Sequence, residues 1–448
     1  MLLPSPAAAQ MQSMPGQTMP GMAMPTPAQT PTPTPTPAPA PASATPDMSM
    51  PAMTMPTMTM GVGGDAYQQG SGTARLPGDE GMMRGYMFRA GDWTLMAHGY
   101  AWATLTHQAG PRGDDDHFIT SMAMLMADRE AGERVHLQLK GMMSLDPALG
   151  ERGYPDLFAS GETAHGVPLV DRQHPHDLFM ELSARADYRL APGGTTSIFL
   201  YGGPVAEPAL GPSAFMHRAS AALLPLAPIS HHWFDSTHIT YGVVTGGLAS
   251  AHWQFESSAF RGREPDEHRW NIETPALDSW SVRATWTPDP HWAVQASTGH
   301  LHSPEAQEPD ANEQRTTASV QYATPQANGG GLATTFGWSV KDKLPGRALT
   351  AWLAEANWNL GRHHSLFGRV ENVDNDELFP DVTSPLHDRP FRVTKAEGGY
   401  AYRLPIAGPV GVALGGSLAG YIKPAALDPV YGNAPVSWTL FAKFAVGL

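Results

Sequence analysis

The sequence predicts an all-β fold, an antiparallel transmembrane β-barrel of the outer-membrane kind with about 16 strands, preceded by a disordered arm rich in Met, Pro and Thr. Three observations predict it. From Trp93 onward apolar residues recur with a period of two, the mark of strands with one greasy face. No run reaches the ~18 to 20 consecutive apolar residues of a membrane-spanning helix, although only 16% of the chain is charged against the ~25% usual in soluble domains. The last residues, Ser437–Leu448, alternate in the same way and stop on an apolar side chain.

Taken in order, residues 1–10 lack a charged n-region but end in small residues, and they read as the remnant of a signal peptide. Residues 11–60 hold 11 of the 23 Met in the chain, with a Thr-Pro repeat from Thr26 to Pro37. Such a segment buries too little surface to offset its ordering entropy, so it is expected to be a tethered arm. Residues 61–91 form a Gly-rich linker, and 92–448 the barrel.

Within the barrel, Leu178–Leu190 places Leu178, Met180, Leu182, Ala184, Ala186, Tyr188 and Leu190 on one face, opposite Glu181, Ser183, Arg185, Asp187 and Arg189. Ala348–Leu360 and Ala251–Phe260 divide likewise. Alternation alone also suits a soluble sandwich. Two further signs favour a wet barrel: long charged side chains on the polar faces, and aromatics near strand ends. The aromatics are Trp93, Trp280, Trp286, Trp292, Trp358, Tyr400, Tyr402, Tyr421 and Trp438, read as interface girdles. Strands are expected to begin near residues 93, 118, 134, 178, 195, 237, 250, 277, 291, 313, 331, 348, 363, 392, 409 and 436. Long polar loops are expected at 144–177 and 204–236. The terminal strand resembles the signal read by the barrel-assembly machinery, with Leu448 where that pattern usually has Phe. Outer-membrane lipid and that machinery are therefore the expected partners.

The absence of Cys excludes disulfides, thiolate metal sites and cysteine nucleophiles. A net charge of -14 argues against nucleic acid and mildly favours cations. No Gly-x-Ser-x-Gly elbow or phosphate loop is present, so no enzyme is expected.

Two features carry metal chemistry. In the arm, Met14, Met19, Met22, Met24, Met48, Met50, Met53, Met55, Met58 and Met60 offer closely spaced thioethers, soft ligands that select Cu(I). Here the chain resembles the copper-resistance protein B family, in the run at 14–24 and the Met-x-Met series at 48–60 followed by a barrel. The resemblance implies copper as cofactor or cargo, captured in the periplasm by the arm of a protein in a Gram-negative outer membrane. Unlike that family, this arm has no His and only Asp47 as an acid.

The second feature is the block from Asp171 to Trp270, where His174, His176, His231, His232 and His238 are candidate imidazole ligands for Zn(II), Cu(II) or Ni(II). The alternative for this block is a hydrogen-bonded lumen network of Asp171, Arg172, Asp177, Glu181, Glu207, His217, Arg218, Asp235, Arg263 and Glu264. The runs at 171–177 and 231–238 look like blocks from uncharacterised predicted outer-membrane proteins, which implies a compartment and no activity. Two functions stand from this reading: copper binding or export, and a porin-like channel for small solutes.

Overall fold

The computed structural model describes residues 66–81, 85–325, 328–406 and 408–446. The signal-peptide remnant and the ten arm methionines lie outside the described residues. Three short strands come first, β1 (Tyr67–Gln69), β2 (Arg75–Pro77) and β3 (Tyr86–Ala90). Then follow β4 (Trp93–His107), β5 (Asp115–Ala131), β6 (Val135–Met143), the hairpin β7 (Tyr154–Ala164) and β8 (Val167–Gln173), β9 (Phe179–Arg189) and β10 (Ser197–Ala206). The chain continues with β11 (Thr240–Ala249), β12 (Trp253–Phe260), β13 (Ser279–Trp286), β14 (Trp292–Leu301), β15 (Asn312–Ala323) and β16 (Gly331–Leu344). It ends with β17 (Ala348–Leu360), β18 (His364–Asn375), β19 (Phe391–Arg403), β20 (Val410–Ile422) and β21 (Val436–Val446).

Strands β4 to β6 and β9 to β21, sixteen among the described residues, form one antiparallel barrel. It closes where β21 pairs with β4, from Trp438 opposite His107 to Ala445 opposite Tyr100. Each of the sixteen starts within three residues of its expected position. Closure leaves no sheet edge to satisfy, as a membrane span demands.

Alternate residues point out and are bare, among them Ile119, Leu200, Phe255, Trp286, Trp358 and Leu418. Their neighbours point inward and are buried. The exterior is therefore a lipid-facing belt, and the chain folds as an outer-membrane barrel. Trp280, Trp286, Trp292, Trp358 and Tyr400 are exposed on it as expected of girdles. Tyr421 is not. It lies on the lumen face of β20, where its hydroxyl reaches Ser437 Oγ at 3.1 Å and its ring meets Phe158.

Met180 also departs from its expected face. The register of β6 against β9 shifts between Met142 (opposite Glu181) and Met143 (opposite Phe179), and this bulge turns Met180 inward. There it joins Met96, Met122, Met124, Met126 and Met142 in a buried cluster on the inner wall, closed by Val205, Ile239 and Tyr241.

The two rims differ. Turns at 132–134, 250–252 and 361–363 are short and lie on the rim from which β4 starts; connections at 144–178, 207–239, 261–278 and 376–390 leave from the other. The two longest do not stand in solvent as polar loops. They fold into the lumen, because 221–229 is mostly apolar and needs cover: Ala221, Leu223, Leu224, Leu226, Ala227 and Ile229 are all buried. Their seats are apolar patches on the inner wall, with Trp102, Phe367, Ala401 and Phe441 under Leu223 and Leu224. Leu349, Leu353, Val373 and Val393 lie under Ile229, Trp233 and Phe234. At ~1.5 to 3 kcal/mol for each large apolar side chain taken from water, burial strongly favours this docking.

The stretch read as a Gly-rich linker enters the lumen as well. Thr73 hydrogen-bonds Glu256, Arg75 Nε donates to Gln254 Oε1 at 3.2 Å, and β3 extends the sheet beside the first part of β4.

Candidate functional site in the filled lumen

The lumen wall is charged, and its charges point at the inserted segments. On β17, Glu355 accepts from Arg218 Nε at 2.6 Å and from Ser220 Oγ at 2.8 Å, both on the 207–239 insert, and from Arg369 Nε of β18 at 3.2 Å. Arg218 also donates to Asp235 Oδ1 at 3.3 Å. Lys395 of β19 donates to Asp156 Oδ1 of β7 at 2.6 Å. Glu371 of β18 takes both the backbone N–H and the hydroxyl of Ser230, at 2.9 and 2.8 Å. Arg315 Nη1 reaches Ser236 Oγ at 2.6 Å, and Arg283 Nη1 reaches the Gly211 carbonyl at 3.0 Å. Each pairing is fully buried, so each charge must keep its partner or be left uncompensated in a dry site.

Ser230 leads into a single helical turn, α1 (His231–Phe234), and that turn brings the His block together. His174 and His176 flank Pro175 just before β9, close to α1 and the residues that follow it. Ring centroids of His174 and His231 stand 5.8 Å apart, His174 and His232 5.9 Å, and His231 and His232 5.4 Å, a closed triangle. His238 lies 5.1 Å from His231, and His176 lies 5.4 Å from His238.

All five expected imidazoles thus share one cluster. Acceptors fix most of them: His174 Nδ1 on the Pro175 carbonyl at 3.2 Å, His176 Nδ1 on Asp146 Oδ2 at 2.9 Å, His232 Nδ1 on Glu264 at 3.3 Å and His238 Nδ1 on the Asp235 carbonyl at 2.6 Å. Burial, reinforced by neighbouring imidazoles, pushes His174, His231 and His238 well below the usual imidazole range, so they are neutral.

The expected network is only partly one network. Asp177 takes Arg269 Nη1 at 3.3 Å, Glu181 takes the Tyr201 hydroxyl at 2.9 Å, and Asp171 receives the Phe158 N–H at 2.8 Å and the Tyr431 hydroxyl at 3.1 Å. Burial raises Glu207 to about 8. Arg172 instead pairs with Asp114 at the exposed rim, and Arg263 donates to Ser303 rather than to an acid. His217 is half-buried apart from the five, and both of its ring nitrogens are shut off from water without a hydrogen bond. Sequence reasoning missed Glu162, whose Oε1 lies 3.2 Å from His174 Nε2 and which also pairs with Arg269. No spacing signal marks it, because only the β7–β8 fold brings it there.

Beyond Glu162, a cavity of about 550 Å³ opens among the long connections, lined also by Glu305, Glu308, Asp376 and Glu377. Lys343 crosses it, 3.0 Å from Glu308 and 3.2 Å from Asp376.

No protein-family model matches the chain, and no curated protein does either. Among solved structures, the chain is similar in fold to OmpF of Salmonella typhi, solved in complex with daunomycin, at 9% identity over 80% of this chain and 100% of that one, TM-score 0.49. It is similar to OprB of Pseudomonas putida at 9% identity over 79% and 94%, TM-score 0.49. An anion-selective porin from Comamonas acidovorans aligns at 10% identity over 79% and 99%, TM-score 0.47.

Proposed function

We propose that the protein is a porin-like outer-membrane channel for small solutes whose lumen is occupied at rest by its own inserted segments. The observation that carries this reading is the wall. A barrel that served only as an anchor would be filled at least cost by apolar side chains, since buried ion pairs rarely repay their desolvation. Here Glu355, Glu371, Arg315, Arg283 and Lys395 line a surface that water tolerates once the inserts move. The inserts are held by ion pairs, hydrogen bonds and packing, with no disulfide in a chain without Cys. The short-turn rim, from which the first barrel strand starts, is assigned to the periplasm by the usual asymmetry of such barrels.

The test exploits the absence of Cys. Ser220 Oγ on the insert lies 2.7 Å from Thr335 Oγ1 on β16. In the Ser220→Cys, Thr335→Cys double variant, oxidation is expected to abolish bilayer conductance and reduction to restore it. Equal conductance in both states, or none from the unmodified protein, would overturn the reading.

A second reading, copper handling, is favoured by the inner-wall methionines: six buried thioethers on neighbouring strands offer soft groups to Cu(I) beside the route. Exchanging Met122, Met124 and Met126 for Leu keeps the packing volume. If Cu(I) retention and copper tolerance are then unchanged, with or without residues 11–60, copper is not the cargo.

A further inference from the structure

We infer that the lumen insert carries a site for one divalent transition-metal ion, built from His174, His231 and His232 with the Glu162 carboxylate beside them. Four observations converge on these side chains, and the first is spacing. An ion held at ~2.0 to 2.1 Å from three imidazole nitrogens sets the ring centroids roughly 5 to 6 Å apart. The three pairs here stand at 5.8, 5.9 and 5.4 Å.

The second is unmet valence. His231 Nδ1 and His232 Nε2 are shut off from water and form no hydrogen bond, and His174 Nε2 faces the Glu162 carboxylate at 3.2 Å. Asp235 Oδ2 is 4.0 Å from His231 Nδ1, too far to serve. One such atom costs ~1 to 3 kcal/mol. Two in one triangle would be a heavy cost for rings that only packed, and a cation satisfies both at once.

The third is the far side of the rings. His232 holds Glu264 and His174 holds the Pro175 carbonyl through Nδ1, so in each ring Nε2 is the nitrogen left free to bind an ion. That division of labour orients imidazole ligands in metal sites. The fourth is access. Glu162 is at once 3.2 Å from His174 Nε2 and part of the lining of the acid-rich mouth cavity, so a cation has a path in. Were the ion to draw Glu162 away from Arg269, Asp177 would remain as a partner of that guanidinium.

Room is also provided. A Cβ at Gly161 would fall within 2.5 Å of the His232 ring, so the glycine lets that ring sit where it does. Among the described residues no three donors already converge at coordinating distance, so the rings turn as the ion enters. Imidazole ligands with one carboxylate prefer Zn(II), Cu(II) or Ni(II) to Ca(II) or Cu(I). The inference is therefore independent of both functional readings above.

The test uses the full chain in detergent, stripped with chelator and titrated with Zn(II), to which the arm thioethers bind poorly. The wild type is expected to take up one equivalent. His231→Gln and His174→Gln are each expected to weaken it by ~100-fold. His268→Gln, an exposed imidazole outside the triangle, should leave it unchanged. Cu(II) bound in place of Zn(II) should show nitrogen couplings that diminish in His174→Gln. Heat-shifted gel mobility identifies folded variants; because His174 lies outside α1, it supplies the result if His231→Gln fails to fold. No Zn(II) uptake by the wild type, or wild-type affinity in a folded His174→Gln, overturns the site.

Discussion

Replacing Glu355 by Gln tests whether ion pairs hold the insert in the lumen. The carboxylate sits between two guanidiniums, Arg218 on the insert at 2.6 Å and Arg369 on the wall at 3.2 Å, and takes Ser220 Oγ at 2.8 Å. All of these side chains are buried. Gln keeps the shape and removes the charge, leaving Arg369 with the Leu226 carbonyl and no carboxylate among the described residues, and Arg218 with Asp235 as its remaining carboxylate. Removing one member of a buried pair costs ~3 to 5 kcal/mol. Glu355 and Arg369 belong to barrel strands whereas Arg218 and Ser220 belong to the insert, so the loss falls on the seam between them and not on the barrel hydrogen bonds.

At ~1.4 kcal/mol per decade, the docked-to-undocked ratio should fall by about two to three and a half orders of magnitude. The expected readouts are longer open dwell times in planar bilayers and new proteolytic cleavage within 219–229 in detergent. The triple variant Arg218→Met, Glu355→Leu, Arg369→Met restores a volume-matched apolar seam. It should recover most of the blockade, because well-packed apolar replacements of buried ions are often neutral or stabilising. A Glu355→Gln barrel that folds, with dwell times and cleavage pattern unaltered, refutes the reasoning.

Lys395→Met should strand Asp156, its 2.6 Å partner on the β7–β8 hairpin, and loosen that hairpin by ~3 to 5 kcal/mol, seen as faster hydrogen exchange over 154–164. His217 supplies the pH dependence. Burial lowers it to about 3, so the stability it protects is complete above its unfolded value of ~6.5 and is lost as pH falls from there toward 3. Between pH 7 and pH 5 the insert around it should weaken by about 2 kcal/mol. His217→Gln should flatten that slope of exchange against pH, and an unchanged slope would place the titration elsewhere.

The strands were legible in the sequence because lipid demands one unbroken apolar face, which leaves a period-two pattern in the residues themselves. The misreadings mark where that demand stops. Met180 follows the alternation in sequence, but the bulge opposite Met142 and Met143 reverses it in space. Tyr421 has the composition of a girdle residue and the phase of a lumen residue, and phase decides. The filling of the lumen left weaker traces: Phe441 sits among Ser437, Thr439 and Lys443 on the polar face, an apolar exception explained by the insert packed over it. His174 with His176, and His231 with His232, were visible as local pairs. Glu162 and Arg269 were not, because their link to the cluster depends on how the hairpin and the 261–278 connection fold over it.

A polar wall beneath a tightly docked insert needs its own explanation, since an apolar seam throughout would hold the insert more cheaply. The two kinds of contact are segregated. Leu223, Leu224, Ile229 and Trp233 rest on apolar patches, which give adhesion with little directional preference. Arg218, Ser230 and Asp156 meet Glu355, Glu371 and Lys395, which fix one register and penalise every other by leaving charges unpaired. When the insert leaves, the patches are exposed at a cost of area, but the wall charges regain water. Undocking is then dearer than for a bare hydrated pore and cheaper than for a barrel sealed with leucine. That intermediate balance suits a lumen that is closed by default and opens in response to a perturbation such as a lost charge or a protonated imidazole.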